Sequence, residues 1–292
     1  MATYSISGVA QDSNGNPLPN CLVLLFQSAA AGVGGTYQAS TRSDSSGHYS
    51  FTVSNNTTPY FVVCINALIG DSALVGWWRF GEGSGTTAYD SSGNGNNGTL
   101  EGSPPPSWVT GGGALSFTAA NNDYVDVPDN ASLQVEGNAF SISLWVSIAN
   151  VNQAFFINKM NSAETKGYRF FLWGGTMLDL YKGGGHDQKV SWTPSLNTWY
   201  HIVVVQLYSG GEPSQALFYV NGSLLGTIND TNAYGNSSGV DLLIGATNSA
   251  YDSGSIKDVR IYNRALSASK VATLYSNPPA VVGTSDNNLF GS

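Results

Sequence analysis

Charge is the scarcest property of this chain. Only 10% of its 292 residues are Asp, Glu, Lys or Arg, against about a quarter in ordinary globular proteins. With 19 acidic residues against 11 basic ones and a formal charge of -8, no cationic stripe is available for a phosphate backbone, which excludes nucleic acid as a partner. No apolar run approaches the roughly 20 residues that a membrane-crossing helix needs. The start, "MATYSISGVAQDSNG", has neither the basic nor the apolar segment of a secretory signal, so the expectation is a chain that stays in the cytoplasm, is processed, or leaves by lysis. Cysteine is nearly absent as well. Cys21 and Cys64 each sit in an apolar, strand-like run, and spacing leaves two buried thiols and a cross-strand disulfide both open.

What is abundant is small, polar and aromatic. Apolar residues make up 41% and aromatics 12%, alongside 35 glycines, enough to build a sizeable core whose surface is wetted by hydroxyls and amides. Helical period is missing from residues 4–66. "YSISGVA", "CLVLLFQS", "TYQASTRS", "HYSFTV" and "YFVVCIN" are short strand patterns separated by turn chemistry. Asn14-Gly15, Pro17 and Pro19 end one strand and fix an extended entry to the next. In "HYSFTV", Tyr49, Phe51 and Val53 alternate onto one face.

The pattern breaks between Ala67 and Ala73, and "LVGWWRFGEGSG" opens a longer series of strands that runs to about Ser276. In "SISLWVSI", Ile142, Leu144 and Val146 share a face, while Ser141, Ser143, Trp145 and Ser147 share the other, the alternation of a sheet packed on one side only. Val220-Asn221-Gly222-Ser223 is a hairpin turn requiring positive φ at its centre. One helix is expected, "LSASKVATLYS", with Ser267 as N-cap and Val271 and Leu274 facing the sheet. The tail "NPPAVVGTSDNNLFGS" has no partner strand and is expected to be an extended arm, with Leu289 and Phe290 as docking residues.

Two resemblances follow from these segments. The order "SGVAQDSNGNPLPNCLVLLF…TRSDSSGHYSFTV" resembles the carboxypeptidase regulatory-like, transthyretin-type β-sandwich, which implies a spacer and not a catalyst. The set "LVGWWRFGEGSGTTAYDSSGNGNNGTL", "ALSFTAANNDYVDVPDNASLQ", "FSISLWV", "NTWYHIVVV", "ALFYVNGSLLGTI" and "SIKDVRIYNRALSASKV" resembles the laminin-G-like, concanavalin A-type jelly roll. The fold class implied is all-β, a small Greek-key β-sandwich followed by a concanavalin A-like two-sheet jelly roll. The domain limits expected are 1–70, 71–276 and an arm over 277–292.

Catalysis finds little footing in the residues. Laminarinase-type glycosidases of this sandwich place two carboxylates about 5 to 5.5 Å apart at alternate positions of one strand. Here Glu82, Glu101, Glu136, Glu164 and Glu212 are isolated, and Asp123, Asp126 and Asp129 are spaced so that the first two fall on opposite faces. His48, His186 and His201 adjoin no serine elbow or reactive cysteine. No catalytic residue is assigned.

Binding chemistry is the alternative. Jelly rolls of this kind often hold one structural calcium, and the resemblance implies Asp258 as its carboxylate with Glu82 or a carbonyl of "GEGSG" as partner; a pairing of Asp258 with Arg260 or Arg264 stays open. Trp173, Tyr181 and Trp192 lie in or beside the Gly-rich stretches "WGGTM" and "YKGGGHDQ", where exposed rings would stack on sugars, unless they are core. Trp77, Trp145 and Trp199 are expected as packing anchors, and Trp108 as a clamp on the long polar loop after Trp78. The combined expectation is a non-enzymatic structural or adhesion protein of a bacteriophage virion, a capsid decoration, fibre or tail-associated protein. Its partners would be other virion proteins or its own copies, together with cell-surface glycans. The alternatives are a secreted or cell-surface carbohydrate-binding module and a polysaccharide-cleaving enzyme.

Overall fold

The structure, a computed structural model, describes residues 3–10, 22–28, 35–44, 46–54, 60–65, 71–109, 113–152, 154–229 and 231–277. Cys21 and, of the arm expected over 277–292, residues 278–292 lie outside the described residues. The chain divides into two compact units, the first ending at Ser72 and the second beginning at Ala73.

The first unit contains β1 (Tyr4–Val9), β2 (Leu22–Ser28), β3 (Gly35–Arg42), β4 (His48–Val53) and β5 (Tyr60–Ile65). Two small antiparallel sheets form, β1-β4 and β3-β2-β5. Val23, Leu25 and Phe51 are buried at their centre, with Ile6, Tyr49 and Val53 packed against them. The alternation of the β4 segment puts Tyr49, Phe51 and Val53 in that cluster.

The second unit is a sandwich of two eight-stranded sheets. Its strands are β6 (Leu74–Trp78), β7 (Thr87–Ala88), β8 (Gly98–Glu101), β9 (Ser107–Val109), β10 (Ala114–Phe117), β11 (Tyr124–Val127), β12 (Phe140–Ile148) and β13 (Phe155–Met160). They continue as β14 (Gly167–Trp173), β15 (Met177–Lys182), β16 (His186–Ser191), β17 (Trp199–Ser209), β18 (Glu212–Val220), β19 (Ser223–Asn229), β20 (Leu242–Ile244) and β21 (Gly254–Tyr262), with α1 (Ala268–Ser276) last. One sheet runs β19-β18-β17-β12-β21-β10-β9, with β6 also paired to β21; the other runs β16-β15-β14-β13-β20-β11-β8-β7.

Period-two apolar patterning builds the core between them. Ile142, Leu144, Val146 and Ile148 of β12 meet Phe170 and Leu172 of β14 and Leu178 and Leu180 of β15 in one buried cluster, each such side chain contributing about 1.5–3 kcal/mol. Asn221 and Gly222 both have positive φ, 49° and 78°, which closes the β18–β19 hairpin with the twist its strands require. Ser267 caps α1 by accepting from the Lys270 amide, and Val271 and Leu274 are its buried residues.

One expectation is corrected. The outer face of β12 is not left to solvent: Ser141 and Ser143 are 0% and 1% exposed. The chain after β21 folds back over it, with Ser141 Oγ donating to the Arg264 carbonyl and accepting from the Leu266 amide. Tyr275 of α1 completes this cover by stacking on Trp145, with ring centres 5.7 Å apart. The Gly-rich stretch "YKGGGHDQ" closes as a tight turn, because Gly184 and Gly185 adopt φ of 98° and 90° and let His186–Ser191 return as β16.

Candidate functional site

The sheet carrying β13 to β16 has one face in the core and one face outward. On β14, Tyr168, Phe170 and Leu172 belong to the core cluster, so Arg169, Phe171 and Trp173 project from the other side. On β15, Leu178 and Leu180 point inward, leaving Asp179 and Tyr181 outward. The β15–β16 register sets Asp187 opposite Tyr181 and Lys189 opposite Asp179. These strands form the floor of a groove of about 490 Å³, walled by loop residues such as Val151, Glu164 and Ala250, a size within the roughly 300–1,000 Å³ of small-molecule sites.

Aromatic rings and charges alternate across this floor. Trp173 is 51% exposed and meets Phe171 edge-on, with ring centres 6.3 Å apart. The Lys189 ammonium lies 4.1 Å from the Trp173 ring centre, a cation–π contact. Arg169 is within 5.7 Å of both the Phe171 and Tyr181 rings. Its Nε donates to Asn158 Oδ1 at 2.9 Å and its Nη2 to Glu164 Oε1 at 2.7 Å. Lys189 Nζ is 2.8 Å from Asp187 Oδ2 and 3.9 Å from Asp179 Oδ2. Glu164 occupies a left-handed backbone conformation, φ 54°, held by Asn161, whose Oδ1 accepts from the Thr165 and Lys166 amides.

Burial sets the electrostatics. Asp179 is fully buried; desolvation, with Asp187 next to it, raises its carboxyl from 3.8 to about 8, against the opposing pull of Lys189 and the Gln188 amide. Asp179 is therefore neutral at pH 7. Burial also raises the Tyr181 hydroxyl, followed by the influence of Glu164. The exposed rings offer flat apolar faces, and Glu164 and Asp187, with side chains 44% and 39% exposed, offer acceptor oxygens. Hydrolysis would ask for a protonated carboxyl that reaches a glycosidic oxygen, and the proton-bearing Asp179, although on the outward face, is fully covered.

Of the residues singled out from sequence, Trp173 and Tyr181 line this groove. Trp192 does not join them: it packs against the core cluster and meets Tyr200 edge-on at 5.2 Å. The calcium pair does not fit either. Asp258 is buried, and its Oδ1 accepts from Trp77 Nε1 at 2.7 Å and Arg260 Nε at 2.8 Å, so a bound cation would sit against a guanidinium. Asp258 has φ 52° at an irregularity where β21 passes β12, a bulge that turns the carboxylate towards Trp77. Burial raises its pKa, opposed by Arg260. Glu82 is engaged elsewhere, accepting from the Tyr89 amide at 2.7 Å. Among the described residues no three His, Cys, Asp or Glu side chains converge.

The polar loop after Trp78 is an organised connection. Asp90 accepts from the amides of Trp77, Ser92 and Asn96 and from Ser92 Oγ, at 2.7–2.9 Å. Trp78 Nε1 donates to the Asn96 carbonyl and Trp108 Nε1 to the Gly85 carbonyl. His201 Nε2 lies 2.9 Å from Ser143 Oγ, a contact that sequence did not reveal. Both residues are 1% exposed and burial, with Arg260 adding repulsion, pushes the imidazole down to about 3, so this is a neutral, closed structural pair. The groove residues missed from sequence include Phe155, Glu164, Arg169, Phe171 and Asp187. The signal for two of them was available: Arg169, Phe171 and Trp173 follow at i, i+2 and i+4 of one strand.

Comparison with known proteins agrees with this architecture. The solved binding domain of botulinum neurotoxin DC in complex with SialylT is 14% identical, with a TM-score of 0.55, over 71% of this chain and 52% of that one. Domain 4 of AbnA, a GH43 extracellular arabinanase from Geobacillus stearothermophilus, in complex with arabinotriose, is 20% identical, with a TM-score of 0.55, over 69% of this chain and 98% of that one. The binding domain of Paraclostridial Mosquitocidal Protein 1 is 19% identical, with a TM-score of 0.53, over 70% and 52%. The chain thus spans about half the length of the toxin domains and nearly all of the arabinanase domain. No curated protein is similar to it in sequence. The family described as the Concanavalin A-like lectin/glucanases superfamily matches residues 119–272, more than half of the chain, and the protein belongs to that superfamily.

Proposed function

We propose that the second unit is a non-catalytic carbohydrate-binding module that holds an oligosaccharide in the groove over β14 and β15. The observation that carries this reading is the half-exposed Trp173 ring in a groove that Tyr181 and the carboxylates of Glu164 and Asp187 also line. Sugars present one apolar C–H face and a rim of hydroxyls, which is what ring faces and carboxylate oxygens bind. The arabinotriose complex of the arabinanase domain, a domain of nearly the same extent, supports it.

The first unit serves as a spacer in this reading, as its transthyretin-like resemblance suggests. The carrier we propose is a bacteriophage particle, where a sparsely charged pair of sandwiches would decorate a capsid, fibre or tail and meet host-surface glycans. A secreted or cell-surface protein is the alternative carrier, and copy number in purified particles separates the two.

The test of binding is retardation of the full chain in native gels containing polysaccharides, followed by Trp173→Ala. The ring is half exposed, so its removal leaves the melting temperature within about 2–4 °C while weakening binding by at least tenfold. Unchanged retardation of the variant moves the site away from the groove. Failure to bind any glycan removes the reading, and release of reducing ends by the wild type would replace it with an enzyme.

A further inference from the structure

Selectivity is written in how the groove's charges are used up. Arg169 is the cation among the described residues lining the groove, and its guanidinium is committed to Glu164 and Asn158. Lys189, lying against the Trp173 ring, is committed to Asp187 at 2.8 Å. Neither positive group is left with an unmatched charge for a ligand carboxylate. The oxygens that remain accessible belong to Glu164 and Asp187, and a carboxylate can only accept hydrogen bonds.

We infer that the groove selects uncharged oligosaccharides, whose hydroxyls donate to Glu164 and Asp187, and rejects chains carrying uronate or sialate groups. This rests on the groove being the glycan site and adds the charge class of its ligand. A sugar carboxylate there would meet only acceptor oxygens and two cations already matched, so it would give up its water with no free donor to replace it, and the chain's net charge of -8 repels it besides. To displace Glu164 from Arg169 it would also have to break a charge-assisted hydrogen bond backed by two aromatic rings. Discrimination therefore comes from a repulsive element, not only from attractive contacts.

The experiment uses the full chain and a neutral polysaccharide that it retards. The same polymer is oxidised at its primary hydroxyls to the uronate form, and both are compared at low and high salt. Binding is expected to fall at least tenfold on oxidation at low salt, with part of the loss recovered at high salt as repulsion is screened. Asp187→Asn, which removes one acceptor charge and frees Lys189, should narrow the gap between the two polymers, and its melting temperature reports whether it folds. Equal or tighter binding of the oxidised polymer, abolished by Trp173→Ala, would overturn the selectivity while leaving the glycan site in place. Binding of no polymer in either form would remove the site itself, and the selectivity with it.

Discussion

Replacing Asp179 by Asn should make the second unit more stable at high pH and leave it nearly unchanged at low pH. The folded carboxyl binds its proton up to about 8, whereas in the unfolded chain it titrates at 3.8. Below 3.8 both states are protonated and the group exacts nothing. Between 3.8 and about 8 the folded state holds the extra proton, so stability falls as pH rises, by about 1.4 kcal/mol per pH step when this group acts alone. Above 8 the loss is complete, with an upper bound on the order of 5 kcal/mol. Asn keeps the shape and can still accept from the Gln188 amide, which Asp179 Oδ1 does at 3.2 Å, but carries no titrating proton. Lys189 retains Asp187 as its ion partner.

Urea unfolding followed by tryptophan fluorescence at pH 4, 6, 8 and 9 reads the difference between wild type and variant. The two curves should meet near pH 4 and diverge steadily, the variant being the more stable at pH 9. The opposing case is specific: if Asp179 were an ionised partner of Lys189, its replacement would destabilise the unit throughout the neutral range. Parallel curves, or a variant weaker at pH 7 to 9, would refute the burial argument and with it the claim that the groove floor carries a neutral acid.

Two further outcomes follow from buried charges and loop geometry. Asp258→Ala leaves the Arg260 guanidinium, 1% exposed, without its carboxylate and should cost about 3–5 kcal/mol; because the carboxylate is already matched, a calcium chelator should leave the melting temperature of the wild type unchanged. Asp90→Ala strips the shared acceptor from the Trp77, Ser92 and Asn96 amides. It should cost about 1–3 kcal/mol and speed hydrogen exchange at those amides, while glycan retardation stays as in the wild type.

The parts of the fold legible in the sequence are those where one strand's own pattern decides its orientation. Alternation in Phe140–Ile148 assigns the core face because side chains on a pleated strand take opposite sides whatever the partner strand is. The same is true of Ser267 and the two inward positions of α1, since a cap and a 3.6-residue period are local properties. What covers the outer face of β12 was not legible: Ser141 is buried by the Arg264 carbonyl, 123 residues away in sequence, and a serine looks the same beside water as beneath a returning chain. Short strands such as Thr87–Ala88 hold their place through partners and carry no pattern of their own.

The groove divides along the same line. Trp173 was accessible to reasoning because a tryptophan at a strand end beside two glycines has little to pack against, and its exposure follows from that position. Trp192, equally flanked by turn residues, is drawn onto the core by Tyr200 at the start of β17, a contact that exists only once the sheets close. The acidic side is harder still, since nothing in "MLDLYKGGGHDQKV" separates Asp179 from Asp187. The hairpin does so: it places both on one face, buries the first at 0% and leaves the second 39% exposed at the side chain, so that two chemically identical residues become a neutral spacer and an ionic hydrogen-bond acceptor. That division of labour is set by register, and register depends on the turn at Gly184 and Gly185. Shifting the hairpin by one residue would turn Asp187 and Lys189 inward and Gln188 and Val190 outward, so the groove's charge pattern rests on those two glycines as much as on the acids themselves.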